Sequence, residues 1–129
     1  MNYSTDNTRI IDKVDLVTPN DVISKYPLTD EISKLVYGTR NEVSQILHGK
    51  DDRLIAVVGP CSIHDPDSAE EYAKLLIDEK KKYEEDILLI MRVYFEKPRT
   101  SIGWKGLIND PDMDNTFDAN KGLFLARSI

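Results

Sequence analysis

Apolar residues in this chain follow one rhythm before Asp51 and another after it. Residues 1–17 are mixed and carry no clear period, and read as an arm that needs a partner to order it. Thr18-Pro19 then reads as a helix cap followed by proline at the first helical position. That helix is predicted to stop near Tyr26-Pro27, because a residue before proline avoids the α region. Thr29 or Asp30 can cap a second helix, in which Ile32, Leu35, Val36, Val43, Ile46 and Leu47 fall roughly on one face. Gly49 supplies its C-terminal stop.

Beyond Asp51 the apolar residues gather into continuous runs. Leu54–Val58 has strand length and ends at Gly59-Pro60, which suits a strand buried on both faces of a parallel sheet. Asp65-Pro66 opens a helix with Ala69, Tyr72, Ala73, Leu76 and Tyr83 inward and a Glu/Lys-rich outer face. Ile87–Met91 is a second strand. A polar loop follows over roughly residues 94–115, then a helix from about Asp118. The βαβα order predicts an α/β fold with parallel strands. Two strands do not make a stable parallel sheet alone, and the last helix has no stop signal, so the pattern reads as part of a larger α/β domain.

The chain has 129 residues, 40% apolar and 31% charged, as in soluble globular proteins. A net charge of −6 argues against nonspecific binding to nucleic acid or anionic membrane. The lone Cys61 cannot form an internal disulfide, which points to a reducing, cytoplasmic location. The start has no signal-peptide pattern, and the apolar runs fall far short of the ~20 residues that span a bilayer.

Chemistry concentrates where the strands end, the side on which parallel α/β folds bind ligands. Between Arg92 and Lys105 lie four cations (Arg92, Lys97, Arg99, Lys105) and one acid, Glu96. That local charge of +3 in a chain of −6 is the composition of a phosphate or carboxylate site, although a basic loop pairing with distant acids would look the same. Cys61, taken alone, reads first as a small buried strand-end residue and second as a thiolate ligand or nucleophile. His64 is a possible second ligand, a phosphate partner or a group hydrogen-bonded near the helix start. Zinc-pair spacing, the Walker pattern and the dinucleotide glycine fingerprint are absent. His48 at a helix end and Trp104 in Gly-Trp-Lys-Gly read as structural.

Three blocks together carry a resemblance. Gly59-Pro60-Cys61-Ser62-Ile63-His64-Asp65-Pro66, Met91-Arg92-Val93-Tyr94-Phe95-Glu96-Lys97-Pro98-Arg99-Thr100 and Gly103-Trp104-Lys105-Gly106-Leu107-Ile108-Asn109-Asp110-Pro111 resemble the class I 3-deoxy-D-arabino-heptulosonate 7-phosphate (DAHP) synthases, in their microbial, feedback-regulated branch. The resemblance runs from about residue 7 to about 127. It implies a (β/α)8 barrel, with Leu54–Val58 as strand 1 and Ile87–Val93 as strand 2. Residues 53–129 would form about two βα units, and residues 1–52 a partly helical extension that contacts a second subunit and binds an effector.

The implied reaction condenses phosphoenolpyruvate with erythrose 4-phosphate, the first step of the shikimate pathway to aromatic amino acids. Cys61 matches the family's metal-ligating cysteine, for one divalent Mn, Fe, Co or Zn ion in the complete enzyme. Arg92 matches a phosphoenolpyruvate-binding arginine, and Lys97 the catalytic lysine close to both substrates. Arg99 and Thr100 match the residues that hold the phosphate of erythrose 4-phosphate. Lys105 and His64 lie in the matched motifs and are carried as further substrate-binding candidates. Asp6 and Asn7, with Arg9 and Ile10, align with the effector region, for phenylalanine or tyrosine. A homodimer or homotetramer is implied.

The family completes its metal site with a histidine, a glutamate and an aspartate from later strands, which this chain lacks. A (β/α)8 barrel needs ~250 residues. Two expectations follow: the chain is the front of an enzyme whose activity belongs to the complete polypeptide, or it is an inactive truncated product, at most a binding or oligomerisation module.

Overall fold

The computed structural model describes residues 5–10, 12–99 and 102–129, and orders them as α1 (Pro19–Lys25), α2 (Asp30–Leu47), β1 (Leu54–Val58), α3 (Pro66–Tyr83), β2 (Ile87–Met91) and α4 (Ala119–Ser128). Each helix begins where a short polar side chain can take up free N–H groups. Thr18 and Asp21 form a reciprocal capping box on α1. Thr29, rather than Asp30, caps α2 by accepting from the Ile32 N–H at 3.2 Å. Asp65 caps α3 through the N–H groups of Asp67 and Ser68, and Asp118 caps α4. Beyond α2, Gly49 adopts φ +67°, the left-handed stop expected there. His48 Nδ1 donates to the Ser44 carbonyl at 2.7 Å, in keeping with a structural role.

β1 and β2 pair in parallel, in register from Leu54 against Ile87 to Val58 against Met91. The ladder ends at Met91, two residues short of the expected Val93. The last main-chain bond runs from the Arg92 N–H to the Val58 carbonyl at 2.6 Å. α3 packs on β2, α2 reaches β1, and α1 lies against α4. The two strands are less covered than their apolar runs predict: Leu88 is buried, while Leu54 and Val57 remain 71% and 59% exposed. The described elements cover the strands incompletely, and the same holds for α2, whose Leu35 and Leu47 stay exposed. Tyr72 and Tyr83, expected inward on α3, are also exposed.

A small core forms instead beneath the loop after β2. Ile63, Ala69 and Leu107 are buried together, with Phe95, Trp104 and Leu125 packed against them. α4 closes this core at unusually short range: a Cβ on Gly122 would run into the Ile108 carbonyl. The arm is fastened to the same helix. Asn120 accepts the Val17 N–H at 2.8 Å and donates to the Asp15 carbonyl at 3.0 Å. Arg53 joins the extension to the strands, bonding Asp51, the α2 residue Glu42 at 2.9 Å and the Glu84 carbonyl.

Two glycine substitutions should therefore act with opposite sign in denaturant melts. Gly38 sits inside α2 with nothing near a new Cβ, so Gly38→Ala should stabilise by ~0.5–1 kcal/mol. Gly122→Ala must push α4 off the loop and should cost ~1–3 kcal/mol. Equal effects would contradict the backbone contact.

Candidate functional site

The parallel register delivers two loops to one edge of the sheet, and Arg92 joins them. Its Nη1 donates to the Pro60 and Cys61 carbonyls at 2.5 and 2.6 Å. The guanidinium also lies 4.7 Å from the centroid of the Tyr94 ring. A Cβ on Gly59 would meet the Arg92 carbonyl at 2.6 Å, so only glycine lets the strands' ends approach this closely. The Ile63 N–H donates to the Tyr94 carbonyl at 2.8 Å, which continues the seam beyond the strands.

The loop after β2 folds back as a narrow hairpin. Lys97 N–H bonds the Lys105 carbonyl and Leu107 N–H bonds the Phe95 carbonyl, both at 2.8 Å. Glu96 and Gly106 face each other as an antiparallel bridge, and a Cβ on Gly106 would overlap the Phe95 carbonyl. This doubling places Lys97 over the first loop, where its ammonium lies 2.9 Å from Cys61 Sγ. The hydrogen bond from Lys97 and then its charge hold the thiol below the usual thiol range, against a weak opposing effect of burial. Arg92 and Arg99 add smaller attractions. Cys61 is exposed, which departs from the reading of it as a small buried residue at a strand end.

Lys97, Arg99 and Lys105 line one cup of about 240 Å³ with Glu96, Pro98 and Asn109. Arg99 Nε donates to the Trp104 carbonyl and Lys105 Nζ to the Arg99 carbonyl, each at 3.1 Å. Five of the expected residues thus gather here: Cys61, Arg92, Lys97, Arg99 and Lys105. His64 stands apart. It is exposed and lines a separate recess of about 350 Å³ with Ser62, Asp65 and Ser68. Thr100 lies outside the described residues. Asp6 and Asn7 are exposed, in a turn closed by the Ile10 N–H on the Asn7 carbonyl at 3.0 Å. A further recess, about 690 Å³ between α2, α3 and β2, is mostly apolar and is lined by none of the site residues.

Among the described residues, no three His, Cys, Asp or Glu side chains converge as a metal site. A thiolate with a depressed pKa fits one position of a divalent-ion site, but one donor cannot hold the ion. Any further ligands must come from outside the described residues. Sequence reasoning missed the parts that shape the site. Gly59, Tyr94 and the Trp104–Asp110 bond have no charged signature. The Gly-Pro step after β1 and the glycines around Trp104 were the available signals.

Cys61 is the sole cysteine, so alkylation reports on it alone. With metal chelated, its rate should reach half-maximum at a pH below the ~8.5 of a free thiol. Lys97→Met should move that midpoint upward. A profile indifferent to Lys97 would contradict the contact.

Three comparisons bear on these residues. The model of the DAHP synthetase I family matches residues 25–127. The Phe-sensitive phospho-2-dehydro-3-deoxyheptonate aldolase of Escherichia coli (strain K12) is 48% identical over 129 residues, which cover 100% of this chain and 37% of that protein. The Trp-sensitive phospho-2-dehydro-3-deoxyheptonate aldolase of Buchnera aphidicola subsp. Schizaphis graminum is 49% identical over 125 residues, 97% of this chain and 36% of that protein. A solved structure of phospho-2-dehydro-3-deoxyheptonate aldolase from Francisella tularensis SCHU S4 superposes with a TM-score of 0.88 at 54% identity, covering 92% of this chain and 35% of the other. The chain spans about a third of the length of the relatives it matches.

Proposed function

We propose, from the premise that this chain belongs to the DAHP synthetase I family, that it forms the leading part of a DAHP synthase. The proposed reaction joins phosphoenolpyruvate, erythrose 4-phosphate and water into DAHP and phosphate. The supporting observation is the convergence of Cys61, Arg92, Lys97, Arg99 and Lys105 on one edge of a parallel strand pair. In this reading residues 53–129 are the first two βα units of a (β/α)8 barrel, whose sites lie at the carboxyl ends of the strands. Residues 1–52 are the extension.

The roles follow from charge and position. Arg92, with Nη1 committed to two carbonyls, offers its remaining N–H groups to phosphoenolpyruvate. Arg99, Thr100 and Lys105 receive the phosphate of erythrose 4-phosphate, for which an arginine fork is well suited. Lys97 sits between the two loops and neutralises charge where the substrates meet. Bringing two phosphates and a carboxylate together is opposed by their mutual repulsion, and fixed cations remove that opposition without reorganising during the reaction. Cys61 would be one ligand of a divalent Mn, Fe, Co or Zn ion, with the other ligands outside this segment. Such an ion, when bound, polarises the aldehyde as a Lewis acid.

The extension is proposed to contact a second subunit in a homodimer or homotetramer and to bind phenylalanine or tyrosine through the region of Asp6 and Asn7. The names of the Phe-sensitive and Trp-sensitive relatives support an aromatic effector. The fastening of residues 15 and 17 to Asn120 supports a path from the arm to the strand–helix units. A cytoplasmic location suits a lone cysteine, and among the described residues no helix is long and apolar enough to cross a membrane. A second reading, binding without turnover by the 129 residues alone, is favoured because no three His, Cys, Asp or Glu side chains converge among the described residues.

Phosphate release that requires both substrates tests the proposal in the full-length protein. Arg99→Ala should lower kcat/KM for erythrose 4-phosphate by roughly 100-fold, the scale of a lost charged fork. The 129-residue chain alone should show no turnover, and turnover by it would reverse the division of labour argued above. Deleting residues 1–15 from the full-length protein should relieve aromatic inhibition and spare the uninhibited rate; inhibition that persists unchanged would exclude the arm as the effector site.

A further inference from the structure

Arg99 lies on an exposed loop, and an exposed arginine samples many rotamers unless something holds it. Here a chain of contacts runs from the buried core to its guanidinium. The Trp104 ring packs against Ile63, Ala69 and Leu107. Its Nε1–H donates to the Asp110 carbonyl at 2.6 Å. Asp110 is 3% exposed and is itself held, through its N–H, by the Gly106 carbonyl at 3.0 Å. With the indole fixed at both its face and its N–H, the Trp104 carbonyl accepts from Arg99 Nε at 3.1 Å. That bond uses the one guanidinium nitrogen that does not belong to the outer pair. Both Nη groups remain without a partner among the described residues, side by side and available to an anion.

Gly103 supplies the space. At φ +122° a Cβ there would meet Arg99 Cδ at 2.8 Å and Nε at 3.0 Å. The side chain crosses directly over a glycine that cannot be replaced without moving it. An indole was expected to serve only as a packing anchor. The indole N–H and the main-chain carbonyl of Trp104 together give this residue a directional role.

We propose that Trp104 is a positioning residue for the sugar phosphate: it holds Arg99 so that both Nη groups present to the phosphate, across the gap left by Gly103. This rests on the reading that Arg99 receives that phosphate. Trp104 touches no substrate and acts through Arg99.

The test is a double-mutant cycle in the full-length protein, with KM measured separately for each substrate. Trp104→Phe keeps the ring packing and removes the N–H. It should raise KM for erythrose 4-phosphate roughly fivefold, the worth of one net hydrogen bond, with KM for phosphoenolpyruvate and kcat within about twofold. Gly103→Ala should act in the same direction, and it carries the test if Trp104→Phe unfolds. In an Arg99→Ala background neither substitution should raise that KM further, because the residue they position is gone. Multiplying effects, equal losses for both substrates, or an unchanged KM in Trp104→Phe would overturn the inference. An Arg99→Ala variant with unaltered KM for erythrose 4-phosphate would instead overturn the underlying reading of Arg99, and is distinguishable because it needs no Trp104 variant.

Discussion

The grip of the Arg92 guanidinium on the Pro60 and Cys61 carbonyls is the interaction on which the site depends. It does what strand pairing cannot do once the ladder has ended at Val58 and Met91. Charge-assisted bonds to two successive carbonyls set the path of the first loop relative to the second. Gly59 permits the approach and the Tyr94 ring lies against the guanidinium. Cys61 is therefore placed by its main chain, leaving its thiol free for Lys97. An arginine read from sequence as a ligand contact is thus also the structural tie that builds the place where ligands would bind.

A second consequence concerns charge. Four cations in fourteen residues repel one another, and an extended loop would let them spread. The hairpin does the reverse. Main-chain bonds between Phe95–Lys97 and Lys105–Leu107, with a glycine where a side chain would collide, fold the loop so that Lys97, Arg99 and Lys105 share one cup. Part of the concentrated charge is offset within the molecule, by the Cys61 thiol and by the Trp104, Arg99, Pro60 and Cys61 carbonyls. The remainder is the attraction that an anionic substrate would meet.

The structure also explains its own exposed apolar surface. The strands are apolar enough for burial on both faces, and the α2 stripe is apolar enough for an interface, yet Leu54, Val57, Leu35 and Leu47 are exposed. The chain spans about a third of its relatives' length. That exposed surface is in keeping with the proposed barrel and subunit contact.

Helix starts, both strands, their parallel order and the basic loop were legible in the sequence. Thr18, Thr29, Asp65 and Asp118 cap through bonds to residues two or three positions away. Continuous apolar runs and a cluster of cations are likewise properties of neighbouring residues. Cys61, Arg92, Lys97, Arg99 and Lys105 could be named as candidates because residue type carries their chemistry, and the family resemblance ranked them. What the sequence could not determine is which of these meet. His64 is three residues from Cys61 and lines a different recess, whereas Lys97 is 36 residues away and touches the thiol. Short strands, a tight hairpin and close glycine contacts decide such distances, and these arise only when distant main-chain groups pair. Local physics wrote the elements and the inventory of reactive groups; the pairing of two strand ends decided which of them share a site.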